Sequence, residues 1–383
     1  MHYKSLKEYF DLSREKFLNQ CVECGQCVEN CKVMEFLPKP PDAAAAISGY
    51  KDYLRGGELS AAAHLKLDNC MRCYGCVRDD YCPIGLDSML LNEMIWRERD
   101  LRTENPFSRV QYPDHMERIR RFANEEEQER ILTERIVPGA EVVLFPGCNV
   151  YRQPDKVLNM LDIMDAIGIP YSFLPGMKYC CGQGNRGGWG DAQWLQYAAE
   201  NLFDRIAEIG AKKLVLWCPT CACNIAYRVE KFTEKFPCEI VSMGGFMLEN
   251  IDKISFPNAK PCTVTLHEPC KTAFMGIDLE EIRNVLRAIP GTTLVEMEHH
   301  HENAMCCGCL AVTEAPETGG AVTHARLEEA KFTSAEKMLD VCHNCHWVFC
   351  QHQIKNNAFE VDVENYSTYI ASAMGICRKD TAK

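Results

Sequence analysis

The sequence predicts an α+β protein in which a helical N-terminal domain precedes two copies of an α/β module with mostly parallel sheets. Three observations support this fold class. Two dense cysteine clusters lie near the N-terminus, the remaining chain repeats a cysteine pattern at a spacing of about 124 residues, and short apolar runs alternate with helix-like segments in the repeat.

Composition narrows the class of protein. The chain has 383 residues, 24 cysteines and a formal net charge of −12. Its first residues lack the apolar core of a secretory signal, and no apolar run is long enough to span a membrane. We therefore expect a cytoplasmic protein, free or held at a membrane by a partner, whose clustered cysteines bind metal. The acidic charge argues against nucleic acid as a partner.

The N-terminal quarter, residues 1–100, holds two motifs with three cysteines at i, i+3 and i+6 and a fourth farther on. They are CVECGQCVENC (Cys21, Cys24, Cys27, Cys31) and CMRCYGCVRDDYCP (Cys70, Cys73, Cys76, Cys82). This spacing is typical of a two-cluster ferredoxin, in which each cubane [4Fe–4S] cluster takes its fourth ligand from the other motif. The predicted sets are Cys21, Cys24, Cys27 and Cys82 for one cluster, and Cys70, Cys73, Cys76 and Cys31 for the other.

Structural zinc is the alternative, but zinc usually takes two separated CxxC pairs. Two departures from the ferredoxin pattern occur: Lys32 replaces the usual proline, and the second motif has two extra residues before Cys82. Gly25 and Gly75 are expected to permit the tight ligand loops.

Two further segments are predicted to be helical. Residues 42–69 are predicted to form a helix, a turn and a helix, and residues 101–138 are predicted to form a charged helical linker broken at Pro106 and Pro113. A partner-facing helix is the alternative interpretation of that linker.

The body is predicted to form two modules, residues 139–258 and 259–383. Eight short apolar runs predict strands at 142–145, 171–174, 213–217, 238–242, 263–267, 292–296, 338–341 and 359–363, with helices such as 191–210 and 323–338 between them. Each module contains one cysteine after its first strand, a Cys-Cys-Gly and a CxxC. Because these follow strands, we expect them at the carboxyl edge of each sheet, where open α/β sheets bind ligands.

Two other motifs are weaker signals. The stretch GQGNRG (182–187) matches a dinucleotide fingerprint, but the next strand ends in a cysteine instead of the acidic residue that binds the ribose. The stretch CPTC (218–221) could be a thioredoxin-like dithiol, but its counterpart CHNC (342–345) favours a shared metal site.

On these motifs the body resembles the paired CCG-domain family. That family includes the B and D subunits of heterodisulfide reductase and the iron–sulfur subunits of glycolate, lactate and glycerol-3-phosphate dehydrogenases. A two-cluster ferredoxin segment fused to two CCG modules is like the D subunit. The resemblance implies a non-cubane [4Fe–4S] cluster in each module, although one site could hold zinc. The implied ligands are Cys148, Cys180, Cys181, Cys218 and Cys221 in the first module, and Cys270, Cys306, Cys307, Cys342 and Cys345 in the second.

The resemblance also implies a function: an oxidoreductase subunit of an anaerobic redox complex, in which cubane clusters feed paired non-cubane clusters that reduce a disulfide or oxidise thiols. Its expected partners are a flavoprotein, other redox subunits and a membrane- or quinone-linked protein. A pure electron relay between a flavoprotein and a quinone or other low-potential partner is the main alternative, and a zinc scaffold is a third. His267 is the predicted proton donor, ahead of His299–His301, His343 and His346.

Overall fold

The computed structural model describes residues 6–31, 34, 38–78, 81–102, 113–179, 181, 192–229, 238–309, 316–358 and 361–383. The N-terminal domain is helical, as predicted. Its helices are α1 (Leu6–Gln20), α2 (Gln26–Glu29), α3 (Ala43–Leu54), α4 (Ala61–Asp68), α5 (Gly75–Arg78) and α6 (Ser88–Arg102).

The predicted helix–turn–helix over residues 42–69 is confirmed as α3 and α4, which pack against each other. The Asp42 side chain caps α3 by accepting the Ala45 N–H at 2.9 Å, and the Ser60 hydroxyl caps α4 by accepting the Ala63 N–H at 3.2 Å. Both caps satisfy backbone donors that a helix leaves unpaired at its start. Both helices contribute to the N-terminal core, and the short ligand helix α2 packs on α3, whereas the short ligand helix α5 packs on α6.

The charged segment forms α7 (Pro113–Phe122) and α8 (Glu125–Leu132). Pro113 begins a helix rather than breaking one, because its fixed φ suits the first helical position; Pro106 lies outside the described residues. Ile119 and Ile131 are fully buried and join the core of the body. Arg130 donates to Asp162 and another carboxylate of the first module at 2.6 Å. This segment therefore packs on the first module along an apolar face.

The body contains two modules of the same plan. The first comprises β1 (Val142–Gly147), α9 (Asn149–Arg152), α10 (Pro154–Ile167), β2 (Tyr171–Pro175), α11 (Ala192–Ile209), β3 (Lys213–Leu216), α12 (Pro219–Cys223), β4 (Glu239–Ser242) and α13 (Met243–Glu249). The second comprises β5 (Cys262–His267), α14 (Cys270–Met275), α15 (Glu281–Ala288), β6 (Thr292–Leu294), α16 (Pro316–Phe332), β7 (Lys337–Asp340), α17 (His343–Asn356), β8 (Asp362–Asn365) and α18 (Tyr366–Ala373). Short 3₁₀ turns occur at Met177–Tyr179, Ile251–Lys253 and His301–Asn303, and α12 continues as a π-helix over Asn224–Val229.

Each module has one four-stranded, wholly parallel sheet, with strand orders β2-β1-β3-β4 and β6-β5-β7-β8. All eight predicted strands are present. The bounds predicted for the helix over 323–338 are wrong: α16 ends at Phe332, and Ser334 adopts a positive φ of 58° that closes the turn into β7. The last predicted strand is observed as β8, which pairs with β7 from Asp362 onward, and residues 359 and 360 of that prediction lie outside the described residues.

The two modules pack against each other through two reciprocal helix pairs. The helix after the first strand of each module packs on the helix after the last strand of the other, so that α10 contacts α18 and α15 contacts α13. This reciprocal arrangement is that of a pseudo-twofold interface. It buries one apolar core shared by both sheets, which includes Leu144 and Leu266 at 1% and 0% exposure. No helix of the described residues has the length and hydrophobicity of a membrane span.

Candidate metal centres

The repeated cysteines lie at the carboxyl ends of the central strands. Cys148 follows β1 and Cys218 follows β3; in the second module Cys270 follows β5 and Cys342 follows β7. These strands are neighbours in parallel sheets, so their carboxyl ends meet at one edge. Cys180, together with Gly182 and the glycine-rich stretch 182–187, lies outside the described residues.

The first module brings Cys181, Cys218 and Cys221 together in one buried cluster, with Cys148 buried at the adjoining strand end. Hydrogen bonds with Cys181 and then Cys218, together with burial, raise the pKa of Cys221 well above its ordinary value. Gly147 has a φ of +61°, and a Cβ there would lie 3.3 Å from the Cys221 sulfur. The backbone therefore passes close to these thiols where only glycine fits without strain.

The second module joins all five of its predicted ligands in a chain of contacts. The thiols of Cys270 and Cys306 interact, those of Cys306 and Cys307 interact, and Cys307 contacts Cys345, which contacts Cys342. All five thiols are buried or half-buried. The arrangement therefore offers five sulfur donors in one compact volume.

The chemistry of these donors fits a cationic metal centre. Burial, followed by hydrogen bonds with Cys307 and a neighbouring thiol, raises the pKa of Cys345 well above its usual value. Without a cation, so many buried thiols cannot all ionise, whereas a bound metal would stabilise the thiolates that ligate it. Gly308 follows the cysteine pair with a φ of +81°, and a Cβ there would lie 2.6 Å from the Gly319 carbonyl oxygen, so only glycine fits this turn.

The two cysteine sets face each other across the pseudo-twofold interface. The Cys218 sulfur of the first module lies 3.6 Å from Nδ1 of His343 in the second. Gln153, at the start of α10, donates from Nε2 to the His343 carbonyl oxygen at 2.9 Å. Burial alone would lower the pKa of His343, but the thiolates of Cys218 and Cys342 raise it to about 10. The imidazole thus connects the two sites electrostatically.

In the N-terminal domain the first predicted ligand set is gathered near its surface. Burial is the largest cause that raises the pKa values of Cys21 and Cys27, the latter to about 11, and the nearby Cys82 thiol raises both further. Cys24 is exposed. Gly25 has a φ of +75°, and a Cβ there would lie 2.6 Å from the Ala43 carbonyl carbon. These thiols therefore lie at the edge of the domain that faces solvent.

The two ligand loops have the same backbone form, but the glycines do not correspond as predicted. Glu23 and Gly25 have positive φ values in the first loop, and Arg72 and Tyr74 have them at the equivalent positions of the second. Tyr74, not Gly75, therefore occupies the left-handed position. Gly75 instead begins the short helix α5.

A cavity of about 320 Å³ joins the second predicted cubane set to the second module. Its lining includes Cys31, Cys70, Cys73 and Cys76 from the N-terminal domain, and Cys270 and Cys306 from the second module. Lys271 fastens the two parts together, because its Nζ donates to the Arg72 carbonyl oxygen and lies 3.6 Å from the centre of the Tyr74 ring. A single volume is thus shared by thiols of both parts.

Lys66 of α4 also lines this cavity and is only 3% exposed. Burial alone would lower its pKa, but the thiolates of Cys70 and Cys31 outweigh that effect and raise it. A buried ammonium therefore lies beside the second cubane set. Neither motif spacing nor local hydrophobicity marks this lysine in the sequence.

Comparison with protein families matches a cysteine-rich CCG domain to residues 142–226 and again to residues 264–350. The chain carries two CCG domains. Over 94% of its length it is 24% identical to the D subunit of the dihydromethanophenazine:CoB–CoM heterodisulfide reductase of Methanosarcina mazei, covering 94% of that protein. Over 91% of its length it is 24% identical to the B subunit of a fumarate reductase (CoM/CoB) of Methanothermobacter marburgensis, covering 69% of that protein.

Among solved structures, a hypothetical protein from Helicobacter pylori has a similar fold. The TM-score is 0.54 at 12% identity, with 97% of this chain and 76% of that chain covered. The likeness extends over the N-terminal helical domain as well as both CCG domains, and it concerns the fold alone.

His267, the predicted proton donor, is fully buried in the second CCG domain at the end of β5. One of its ring nitrogens and the sulfurs of Cys307 and Cys345 all lie within 4.8 Å of one another. Nε of Arg326 donates to Nδ1 of His267 at 3.0 Å, so the imidazole proton is on Nε2, which has no partner among the described residues. Burial, and then the charge of Arg326, lower the pKa of His267.

The surroundings of His267 therefore favour a neutral ring, protonated on Nε2, that lies beside Cys307 and Cys345. Neither Arg326 nor Lys66 is marked by any signal in the sequence, since both lie outside the cysteine motifs. Of the other histidines, His343 reaches the first CCG domain, whereas His346 is held between Asp340 and Asp380 at 2.7 and 2.9 Å.

Proposed function

We propose that this chain is the iron–sulfur subunit of a multi-subunit, heterodisulfide-reductase-like redox complex that reduces a disulfide or oxidises thiols at its paired CCG sites. The observation that carries the proposal is the convergence of both CCG cysteine sets at facing sheet edges, with the second set sharing a cavity with a cubane-type cysteine set. Similarity to the D subunit of a heterodisulfide reductase over almost the whole chain supports it.

The proposed ligands follow the sequence motifs. Two cubane [4Fe–4S] clusters would be held crosswise by the N-terminal cysteines, and a non-cubane [4Fe–4S] cluster would be held in each CCG domain, with zinc as the alternative in one of them. When bound, these clusters would supply one-electron transfer. The overall reaction, RSSR′ + 2e⁻ + 2H⁺ → RSH + R′SH, takes two electrons, which the clusters would deliver one at a time.

The chain's own residues would position and shield this chemistry. Gly147 leaves space beside the Cys221 thiol, and Arg326 holds the His267 ring beside the second CCG site with its proton on Nε2. We therefore propose that His267 interacts with a substrate sulfur mainly by donating a hydrogen bond to it. Proton delivery by His267 stays a prediction, because a neutral imidazole N–H is a poor acid.

Electron supply would come from a partner. Cys24 is exposed, and the neighbouring Val22 is 64% exposed, so the first cubane site lies where a flavoprotein or another redox subunit could dock. A cytoplasmic subunit of this kind could act free of the membrane or through a membrane- or quinone-linked partner. A role as an electron relay alone, between a flavoprotein and a quinone or other low-potential partner, is the second candidate.

Electron paramagnetic resonance of anaerobically purified, oxidised protein tests the choice. We expect a panel of thiols to include one that produces a new signal, and Cys307→Ser to abolish or alter that signal. Cys238→Ser is the matched control, because this half-buried cysteine lies outside all four predicted ligand sets. Clusters that titrate normally but do not respond to any thiol would establish the relay instead.

A further inference from the structure

The loop between β6 and the second Cys-Cys-Gly carries three consecutive histidines that the proposed function does not use. Two of them, His300 and His301, meet Glu296 so that one potential ligand atom from each lies within 4.8 Å of the others. Nδ1 of His300 and Nδ1 of His301 are in direct contact, with the rings inclined at 70°. Two imidazole nitrogens and a carboxylate oxygen are a donor set typical of zinc.

We propose that Glu296, His300 and His301 form a binding site for a divalent transition metal of the zinc class, separate from the cysteine sites. The fourth position would be open to water, since Glu296 is exposed and both histidines are partly exposed. The metal would fix the loop that leads to the second Cys-Cys-Gly.

Two features beyond the cluster itself support a metal site. Nε2 of His301 lies 2.6 Å from a Glu280 carboxylate oxygen, so the ring N–H points to Glu280 and the lone pair of Nδ1 faces His300 and Glu296. A carboxylate that holds the far nitrogen of a histidine is the usual support for a metal ligand. His301 also has a φ of +54°, a conformation that non-glycine residues seldom adopt and that is often found at functional sites.

The surroundings hold the donors in place. The backbone N–H of His301 donates to Glu268 at 2.8 Å, and Glu268 is fully buried and paired with Arg283. Arg283 also binds both carboxylate oxygens of Glu296 at 2.7 and 2.8 Å. Each carboxylate oxygen has a second lone pair, so Glu296 can accept from Arg283 and still ligate a metal.

Zinc binding to the full-length, cluster-containing protein tests the site. Equilibrium dialysis against Zn²⁺, with iron measured in the same samples, should find about one zinc per chain. Zinc K-edge X-ray absorption should then show only nitrogen and oxygen neighbours, at about 2.0–2.1 Å, and no sulfur at about 2.3 Å. The sulfur distance separates this site from zinc bound at a CCG site.

His301→Asn is the main variant, because asparagine tolerates a positive φ and the loop should keep its form. We expect it to weaken zinc binding at least 100-fold, and Glu280→Gln to weaken it about 10- to 100-fold. His299→Ala should leave it unchanged, since His299 bonds Glu329 instead. Absence of zinc from the wild-type protein, zinc with sulfur neighbours alone, or equal affinity in His301→Asn would each overturn the proposal and leave only a histidine–histidine hydrogen bond.

Discussion

Replacing Lys66 by glutamine should lower the reduction potential of the cluster proposed to be held by Cys70, Cys73, Cys76 and Cys31. The ammonium lines the same 320 Å³ cavity as these thiols and is almost fully buried. A sphere of that volume is about 8 Å across, so the charge lies roughly 6–8 Å from the cluster position, and at an effective dielectric constant of about 20 it stabilises an added electron by about 2–3 kcal/mol. For a one-electron couple this corresponds to roughly 100 mV.

An anaerobic redox titration followed by electron paramagnetic resonance measures that shift. Of the two cubane signals, one should move to a potential about 100 mV lower in Lys66→Gln and should return toward the wild-type value in Lys66→Arg. Lys51→Gln is the matched control, since Lys51 is also buried but pairs with Glu23 at 2.8 Å beside Cys21. It should move the other signal. If Lys66→Gln keeps its full iron content and neither potential changes, the electrostatic reasoning is refuted.

Three further predictions concern the CCG domains. Gly308→Ala should reduce the iron content of the protein, measured against wild type, because its Cβ would lie 2.6 Å from the Gly319 oxygen at a φ of +81°. Lys271→Met should slow electron transfer between the N-terminal and CCG clusters in freeze-quench spectra, since it removes the contact with Tyr74, and an unchanged rate would contradict that docking role. Burial raises the pKa of Asp278 from 3.8 to about 7, so its protonated form is favoured in the fold and stability falls as the pH rises from about 4 to 7. Asp278→Asn should therefore be more stable than wild type at pH 8, by up to about 4 kcal/mol of unfolding free energy, and should melt at a higher temperature. The two proteins should have the same melting temperature near pH 4, and equal melting temperatures at pH 8 would count against the raised pKa.

Much of the fold can be predicted because its signals are local. Most strands lie in short runs rich in apolar residues, and the parallel sheet follows from alternation with helices, so pattern alone places a strand near each of the eight observed ones. The weakest case is β8, whose sequence DVEN is largely polar and overlaps the predicted range only at Asp362 and Val363. Errors arise where a local pattern lacks an end signal. The helix that precedes β7 ends at Phe332 because Ser334 turns the chain, and serine has no strong preference for that conformation. Likewise Tyr74 takes a left-handed conformation for which glycine was expected, since the cluster loop is held by its surroundings.

Ligand spacing predicts which cysteines form sets, because the spacing is a local property of the sequence and the duplication repeats it. How those sets relate to one another follows from the packing of the domains. Packing of the two CCG domains against each other places Cys218 beside His343. Docking of the N-terminal domain places Lys66 beside the cavity that the N-terminal domain shares with the second CCG domain. These contacts join residues far apart in the chain through burial and charge. Such forces depend on distance in space, and neither spacing nor periodicity records that distance.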